Sequence, residues 1–292
     1  MPREYGSAEA FRRALEVRLN TAAETELIQV NRLRRQVAFD RLLARLFRID
    51  PAPWVLKGGY ALELRFRTAR ATVDIDLTVQ RVTAATEADA NQIVRDMLQD
   101  AVRLSLGDWF EYTIGPSMLD LDAAPYGGAR FPVETRMDGR IFARFHLDAG
   151  IGDAILQPVE TIDCRDWLSF AGIAAPQVQT ISREQQIAEK LHAYTLPRSS
   201  TNSRVKDLVD IALLIGSGRI NRTRVADAVR LTFERRRTHE LPLALVEPPR
   251  DWERRFLRLA EECQIKGDMD AVFKVVEDFF ARMMKKDEGR QS

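Results

Sequence analysis

A β-hairpin centred on Asp138-Gly139 constrains the fold of this chain most strongly. Segments 130–137 and 140–148 alternate apolar and polar residues, as strands with one buried face do. The Asp-Gly pair between them suits the two-residue turn that matches the twist of paired strands. One face of the second strand then carries three polar side chains, Arg144, His146 and Asp148. A sheet with at least one antiparallel pair is therefore expected here.

The residues before the hairpin predict a mixture of helices and strands. Residues 8–47 have the apolar spacing of two helices, the second starting at Leu27. Further along, the pattern predicts strands at 54–56, 72–79 and 109–114 and helices at 60–66 and 83–105.

From about residue 180 the spacing is almost entirely helical. Ser182-Arg-Glu-Gln185 is typical of a capping box, and its helix is expected to run to about Leu196. A polar loop at 197–203, a helix at 205–215 and three further helices are expected to follow. We therefore expect an α/β (α+β) fold. A mixed β-sheet core with flanking helices would occupy residues 1–175, and a C-terminal helical domain residues 176–292.

Composition bounds the environment of the protein. Lys and Arg total 44 against 43 Asp and Glu, and a net charge of +1 does not indicate a nucleic-acid-binding protein. No apolar run approaches the ~18 residues that span a bilayer, and the first residues lack the order of a signal peptide. Cys164 and Cys263 show no CxxC spacing, which favours two reduced thiols. A cytoplasmic protein with no membrane association is expected.

Two glycines and two aspartates form the motif that indicates chemistry. Gly58-Gly59 follows the strand at 54–56 and opens a helix, which lets backbone N–H groups approach a phosphate. Asp74 and Asp76 lie two positions apart on the next strand, so both carboxylates face one side. Such a pair of hard oxygen ligands suits Mg²⁺, which completes its shell with water and substrate phosphate.

The same Asp-x-Asp spacing recurs at Asp120/Asp122 and at Asp268/Asp270, where no strand, Gly-Gly pair and helix precede it. Surface carboxylates are expected at both places. Lysine is also scarce before residue 266, where the chain has only Lys57, Lys190 and Lys206. Two explanations of this scarcity are equally open: a general bias of the sequence toward arginine, or lysines used specifically for phosphate contacts.

Five segments share a pattern with one enzyme family. They are 57–65, 70–77, 146–153, 187–193 and 204–210. Together they resemble the nucleotidyltransferase AbiEii/AbiGii toxin family of type IV toxin–antitoxin systems, which includes the MenT-like enzymes. Tyr60 departs from the family pattern, where a small hydroxyl residue is common, and this leaves the phosphate contacts at that position open.

The resemblance implies a nucleotidyltransferase-type sheet and a Mg²⁺-dependent transfer. A nucleoside triphosphate (NTP) would donate its nucleotide to an acceptor hydroxyl, in MenT-like members the 3′ end of tRNA, and so block translation. The implied metal ligands are Asp74, Asp76 and Asp148. The implied nucleotide-binding residues are Lys57, Gly58, Gly59, Arg70, Thr72 and Lys190. The implied catalytic residues are Asp74, Asp76, Lys190 and Asp210.

Each assignment has a plainer alternative. Arg70 and Thr72 could be turn residues, and Asp148 a strand-end carboxylate. Lys190 could be a lysine on a helix surface. Asp207 and Asp210 could form a surface ion pair with a lysine.

Arginines at 32–48 and 235–237 would either contact tRNA phosphates or form a solvated face.

Two other functions stay open beside the implied one. The first is a metal-dependent nucleotidyl- or phosphotransferase that acts on a protein or a small molecule. The second is an inactive module that only binds a cognate antitoxin, the partner that the family implies. For Lys190 and Asp210 to act in catalysis, the helical domain has to fold back over the cleft above Asp74 and Asp76. Replacement of Lys190 by alanine is then expected to impair catalysis with little loss of stability.

Overall fold

The structure is a computed structural model that describes residues 4–80, 82–121, 124–197 and 204–288. The α-helices are α1 (Ala8–Glu26), α2 (Val30–Leu46), α3 (Gly58–Arg65), α4 (Glu87–Val102), α5 (Arg183–Thr195), α6 (Val205–Gly216), α7 (Arg222–Arg236), α8 (Glu253–Glu262) and α9 (Met269–Glu288). The strands are β1 (Trp54–Lys57), β2 (Asp74–Val79), β3 (Glu111–Ile114), β4 (Leu119–Asp120), β5 (Gly128–Met137), β6 (Arg140–Ile151), β7 (Glu160–Asp163) and β8 (Gln177–Thr180).

The chain divides into two compact units. The sheet unit comprises Met1–Leu64, Ala71–Gly152 and Thr161–Thr180, and the helical unit comprises Arg65–Arg70, Asp153–Glu160 and Ile181–Ser292. Two short segments from the first half of the chain thus belong to the helical unit. The predicted domain boundary between residues 175 and 176 stays a prediction.

A mixed sheet forms the centre of the sheet unit. Its strand order is β3-β5-β6-β2-β1-β8-β7, with β4 paired to β5. Strand β2 runs antiparallel to β1 and parallel to β6. The predicted hairpin is confirmed as β5 and β6, joined by Asp138 and Gly139 with φ of 54° and 66°. Positive φ at both positions is the conformation that this turn requires.

Apolar side chains of β2, β5 and β6 pack against α2 and α4. Ile75, Leu77, Phe131 and Leu147 lie in this core, and each has 0% of its surface exposed. Because neighbouring strand residues point to opposite faces, burial of Ile75 and Leu77 places Asp74 and Asp76 on the other side of β2. The core therefore determines where the carboxylates point.

The predicted start of the second helix at Leu27 is wrong. Helix α1 ends at Glu26, and Leu27 has the left-handed conformation with φ 54° that closes it. Its side chain is 92% exposed, and α2 begins only at Val30. Helical spacing alone did not reveal this break, because Leu27 is an apolar residue that contributes nothing to the core.

The helical unit has a core of its own, to which Ile187, Leu208, Val229 and Phe256 contribute. Ser182 caps α5 by accepting a hydrogen bond from the backbone N–H of Gln185 at 3.2 Å, as predicted. The reciprocal half of the capping box is absent from the described contacts: the Gln185 side-chain oxygen accepts no hydrogen bond, while its NH2 group donates to Thr232. Three further helices follow α6, as predicted.

Residues 198–203 of the predicted polar loop lie outside the described residues, as does Asp122. Within the described part of the chain, every helix is too short or too polar to cross a bilayer.

Candidate active site

Gly58 and Gly59 bring the start of α3 against β2. Lys57, at the end of β1, is the register partner of Asp76. Gly58 has φ of +66°, and a Cβ atom there would overlap the Asp76 carboxylate. A Cβ atom on Gly59 would lie 2.7 Å from the Thr72 hydroxyl oxygen. Side chains larger than hydrogen are therefore excluded at both positions, and bare backbone stands beside Asp76.

Three aspartates share one side of two neighbouring strands. Asp76 on β2 is the register partner of Asp148 on β6, and Asp74 is the partner of His146. Directly paired residues of adjacent strands point to the same face. The side chains of Asp74 and Asp148 retain 23% and 14% exposure, so solvent and a ligand can reach them.

Arg130 on β5 forms a close ion pair that the sequence patterns did not reveal. Its guanidinium donates to both Asp148 oxygens, at 2.7 and 2.8 Å, and lies 3.5 Å from an Asp74 oxygen. The hydrogen bonds to Asp148 raise the pKa of Arg130 above its usual value. Its position could have been found only from the β5–β6 register, in which Arg130 faces Asp148.

The carboxylates fit a magnesium site in chemistry and direction. Asp74, Asp76 and Asp148 supply only oxygen ligands, which Mg²⁺ prefers, and all project from one face. Within the described residues, no three carboxylate, imidazole or thiol groups already stand close enough together to hold an ion. At Asp148, the cation that pairs with the carboxylate is the Arg130 guanidinium.

Thr72 lies beside Gly59 at the entry to β2. Its backbone N–H donates to the Glu63 carboxylate, which also accepts from Gln36 at 2.7 Å. Its hydroxyl is 3.5 Å from the Asp74 carbonyl oxygen. Thr72 therefore belongs to the sheet-unit group of predicted residues, which also contains Lys57, Gly58, Gly59, Asp74, Asp76 and Asp148.

The helical unit contains a second group of predicted residues. Arg70 donates two hydrogen bonds to Asp210, at 2.9 and 2.8 Å. The Lys190 ammonium lies 2.8 Å from Asp210 and 3.0 Å from Asp207. Lys190 is 14% exposed and Asp210 2%, so the alternatives of a surface lysine and a surface ion pair are wrong. Asp207, which is not among the implied catalytic residues, contacts Lys190 as well.

Opposite charges decide the protonation of this group. Burial by itself would lower the pKa of Lys190, but Asp210 and Asp207 outweigh it and raise that pKa. Burial would likewise raise the pKa of Asp210, and Lys190 and Arg70 reverse the effect. Both groups stay charged at neutral pH. Nearby, burial lowers the pKa of Lys206, and the positive charge of Arg70 adds to that shift.

Tyr60 points into the core rather than toward the glycines. It is 1% exposed, and its hydroxyl donates to Asp40 at 2.5 Å. The other Asp40 oxygen accepts from the Trp167 indole N–H at 2.9 Å. Burial raises the pKa of Asp40 to about 7. Tyr60, which departs from the family pattern, thus belongs to a buried polar cluster. Asp40, the carboxyl group of that cluster, was not predicted from the sequence.

Two of the arginines at 32–48, Arg41 and Arg45, do not contribute to the expected surface. Arg41 and Arg45 are buried, and both donate to Asp108 at 2.7 Å. Arg34 is paired with Glu16 at 2.6 Å. At 235–237, Arg236 pairs with Asp153 at 2.9 Å and is only 10% exposed. Arg41, Arg45 and Arg236 thus serve the interior, whereas Arg48, Arg235 and Arg237 are exposed. Helical spacing did not reveal the carboxylate partners, because these are distant in the chain.

Comparison with known proteins points to one family. The family model described as nucleotidyl transferase AbiEii toxin, type IV toxin–antitoxin system, matches residues 41–279. MenT4, a nucleotidyltransferase toxin from Mycobacterium tuberculosis H37Rv, has 17% sequence identity and a TM-score of 0.56, over 91% of this chain and 98% of its own. JHP933 from Helicobacter pylori has 14% identity and a TM-score of 0.47, over 89% and 98%. A search of curated proteins found no match. The likeness to MenT4 confirms the predicted α/β fold with its mixed sheet and flanking helices.

Proposed function

The chain belongs to the AbiEii nucleotidyltransferase toxin family of type IV toxin–antitoxin systems, and on that basis we propose that it transfers a nucleoside monophosphate from an NTP to the 3′ end of tRNA. The family implies an NTP substrate and an antitoxin partner. Blocked tRNA 3′ ends would stop translation, which accounts for a toxic effect. We place the reaction in the cytoplasm, where tRNA and the antitoxin would be available.

One observation carries this proposal most directly. Asp74, Asp76 and Asp148 face one side of β2 and β6, and the bare backbone of Gly58 lies against Asp76. This arrangement pairs a set of oxygen ligands with a place where phosphate oxygens can approach backbone N–H groups. Nucleotidyl transfer requires both, because the phosphate charge has to be neutralised and the reacting atoms have to be held in line.

The reaction balances without a further reagent. The acceptor hydroxyl oxygen bonds to the α-phosphorus, the bond from that phosphorus to the β-phosphate oxygen breaks, and pyrophosphate leaves. The hydroxyl proton passes to solvent or to a carboxylate of the site. Bound at Asp74, Asp76 and Asp148, Mg²⁺ would supply charge neutralisation for the attacking and leaving oxygens. Gly58 and Gly59 position the phosphates, and Asp76 lies beside them.

We assign triphosphate binding also to the group in the helical unit. Arg70, Lys190 and Lys206 bring three positive charges to two carboxylates, those of Asp207 and Asp210. The excess positive charge suits a polyanion such as triphosphate. Asp210 holds both Arg70 and Lys190 in place, so its proposed role is to position them.

The nature of the acceptor is tested by offering purified protein each NTP, labelled in the α-phosphate, with total tRNA, protein extract or small hydroxyl compounds. We expect label at the 3′ end of tRNA, and no label when Asp74 or Asp76 is replaced by alanine. Asp270→Ala is the matched control, because Asp268 and Asp270 have the same spacing and Asp270 only pairs with exposed Arg250.

Each other outcome identifies a competing function. Label on protein or on a small molecule would replace tRNA as the acceptor. No turnover of any NTP, with folded protein and saturating Mg²⁺, would indicate an inactive module that binds only an antitoxin. Unchanged transfer by Asp74→Ala and Asp76→Ala would exclude these residues as metal ligands.

A further inference from the structure

A groove in the sheet unit begins at Asp74 and extends away from the glycines. It encloses about 650 Å³, a volume within the range of ligand-binding pockets. Its walls come from α2, from the residues before β2, and from β3, β5 and β6. The residues that line it include Arg35, Asp74, Thr113, Pro132, Arg144 and His146.

Strand register explains why these side chains line one surface. In one row across the strands, Asp74 on β2 pairs with His146 on β6, which pairs with Pro132 on β5. In the adjoining row, Arg144 on β6 pairs with Glu134 on β5, which pairs with Thr113 on β3. The groove is thus a continuation of the face that carries the three aspartates. The His146 imidazole lies 3.5 Å from the Asp74 carboxylate, so the groove directly adjoins that carboxylate.

The surface of the groove suits a nucleotide. Val73 and Met118 are 54% and 63% exposed, and with Pro132 they provide apolar surface that a base can contact. Arg35 and Arg144 provide positive charge for phosphate. The negative charge of Glu134 is already neutralised by Arg144 and Arg136, each at 2.7 Å. Arg35, Arg144 and Arg136 together outnumber the carboxylates of Asp74 and Glu134, which favours an anionic ligand with apolar groups.

The two sides of the Asp-x-Asp motif are different. Gly58 and Gly59 adjoin Asp76 and Thr72, which is the side assigned above to the triphosphate. The groove adjoins Asp74, two residues earlier on the strand. A transferase needs room for a second substrate on the side of the reacting phosphorus that lies away from the leaving group. The groove provides that room.

We propose that this groove binds the 3′-terminal nucleotides of the RNA acceptor, with the terminal 3′-hydroxyl directed at Asp74 and the preceding phosphates at Arg35 and Arg144. This inference rests on the proposed nucleotidyl transfer and adds to it the location of the acceptor. RNA, rather than a protein side chain, is favoured because the groove combines apolar surface for bases with two arginines for phosphates.

Blocking the groove tests the proposal. Thr113→Trp places a large side chain in it, and Glu111→Trp is the matched control, because Glu111 is exposed on the same face of β3 but does not line the groove. Arg35→Ala removes a charge, and Arg140→Ala is its control, because Arg140 is an exposed arginine on β6 outside the groove. Both wall variants are expected to raise the KM for RNA about tenfold or more, and the KM for NTP should stay within about twofold.

The outcomes separate failure of the groove from failure of the proposed function. If wild-type protein labels RNA and the wall variants leave the KM for RNA unchanged, the groove does not bind the acceptor. If wild-type protein labels no RNA, the proposed acceptor is wrong, and fluorescence anisotropy with a short single-stranded RNA bearing a free 3′-hydroxyl decides on the groove. Weaker binding by Thr113→Trp and Arg35→Ala than by their controls supports the groove, and equal binding overturns it. Arg35→Ala decides alone if Thr113→Trp does not fold.

Discussion

Asp40 shows how a single buried carboxyl group sets a pH dependence. It is 1% exposed beneath α3, and burial raises its pKa to about 7 from an ordinary value of 3.8. The folded state therefore holds a proton that the unfolded state releases above pH 3.8. The contribution of this proton to stability is complete below pH 3.8, falls as pH rises, and is lost by about pH 7.

We expect the free energy of unfolding of the wild type, relative to Asp40→Asn, to fall between about pH 5 and 7. Its limiting slope is about 1.4 kcal/mol per pH unit. Asparagine keeps the shape of the site but does not titrate. Its amide nitrogen cannot accept a hydrogen bond as an Asp40 oxygen does, which shifts the difference by an amount independent of pH, so the change of the difference with pH isolates Asp40. Urea unfolding at a series of pH values measures it. A constant difference across this range would show that Asp40 does not titrate there.

Lys190 is the residue at which the structure changes the expected effect of a mutation. From the sequence, Lys190→Ala was expected to cost little stability. In the structure, Lys190 is 14% exposed and lies between Asp207 and Asp210. Removal of its charge leaves two buried carboxylates with less compensation.

Lys190→Ala is therefore expected to lower the free energy of unfolding by about 3 kcal/mol, the usual loss when one partner of a buried ion pair is removed. Lys274→Ala is the control, because Lys274 is 65% exposed in its pairs with Glu277 and Asp278, and its loss should be small. Denaturant unfolding measures both. Equal, small losses would contradict the buried ion network.

At the scale of elements, the start of α3 is the most demanding position in the candidate site. Gly58 and Gly139 have the same φ of +66°. Alanine at either position imposes the same backbone strain, of about 1 kcal/mol. At Gly58 the new Cβ would also meet the Asp76 carboxylate, whereas at Gly139 nothing lies within 4 Å.

Gly58→Ala should therefore abolish most nucleotide transfer, with a loss of about a hundredfold or more in kcat/KM because the phosphate and carboxylate positions are disturbed. Gly139→Ala should lose similar stability and keep its activity. Thermal unfolding and initial-rate kinetics on both variants provide the comparison. Equal activity in the two variants would show that the approach of Gly58 to Asp76 has no catalytic role.

Elements with local signals were predictable from sequence. The Asp138-Gly139 turn, the alternation in β2 and the Ser182 cap each depend on residues that are neighbours in the chain, and all three are present. Strands β1 and β3, of four residues each, were predicted, whereas the short strands β4, β7 and β8 were not. Their positions depend on the strands beside them.

The candidate site was predictable to the same extent. Asp74, Asp76 and Gly58 are marked by close spacing, and Asp148 by its face of a predicted strand. Arg130 and the partners of Arg70 were not predictable, because Arg70 and Asp210 are 140 positions apart. Such pairs arise only when the chain is folded.

At the scale of the whole molecule, the charge balance limits how the proposed RNA acceptor can be bound. The net charge is +1, and several arginines are committed to buried carboxylates, among them Arg41, Arg45, Arg70 and Arg236. A general attraction for nucleic acid is therefore weak. Recognition of an acceptor has to depend on local groups, and the groove beside Asp74 supplies Arg35 and Arg144.

The central claim is that this chain moves a nucleotide rather than a phosphoryl group, by means of Asp74 and Asp76. The most direct measurement compares transfer from NTP labelled in the α-phosphate with transfer from NTP labelled in the γ-phosphate, using wild-type protein, Asp76→Ala and Asp270→Ala with tRNA and Mg²⁺. We predict that only the α-label reaches the acceptor, with release of pyrophosphate, in the wild type and Asp270→Ala but not in Asp76→Ala. Transfer of the γ-label, or full transfer of the α-label by Asp76→Ala, would contradict the account.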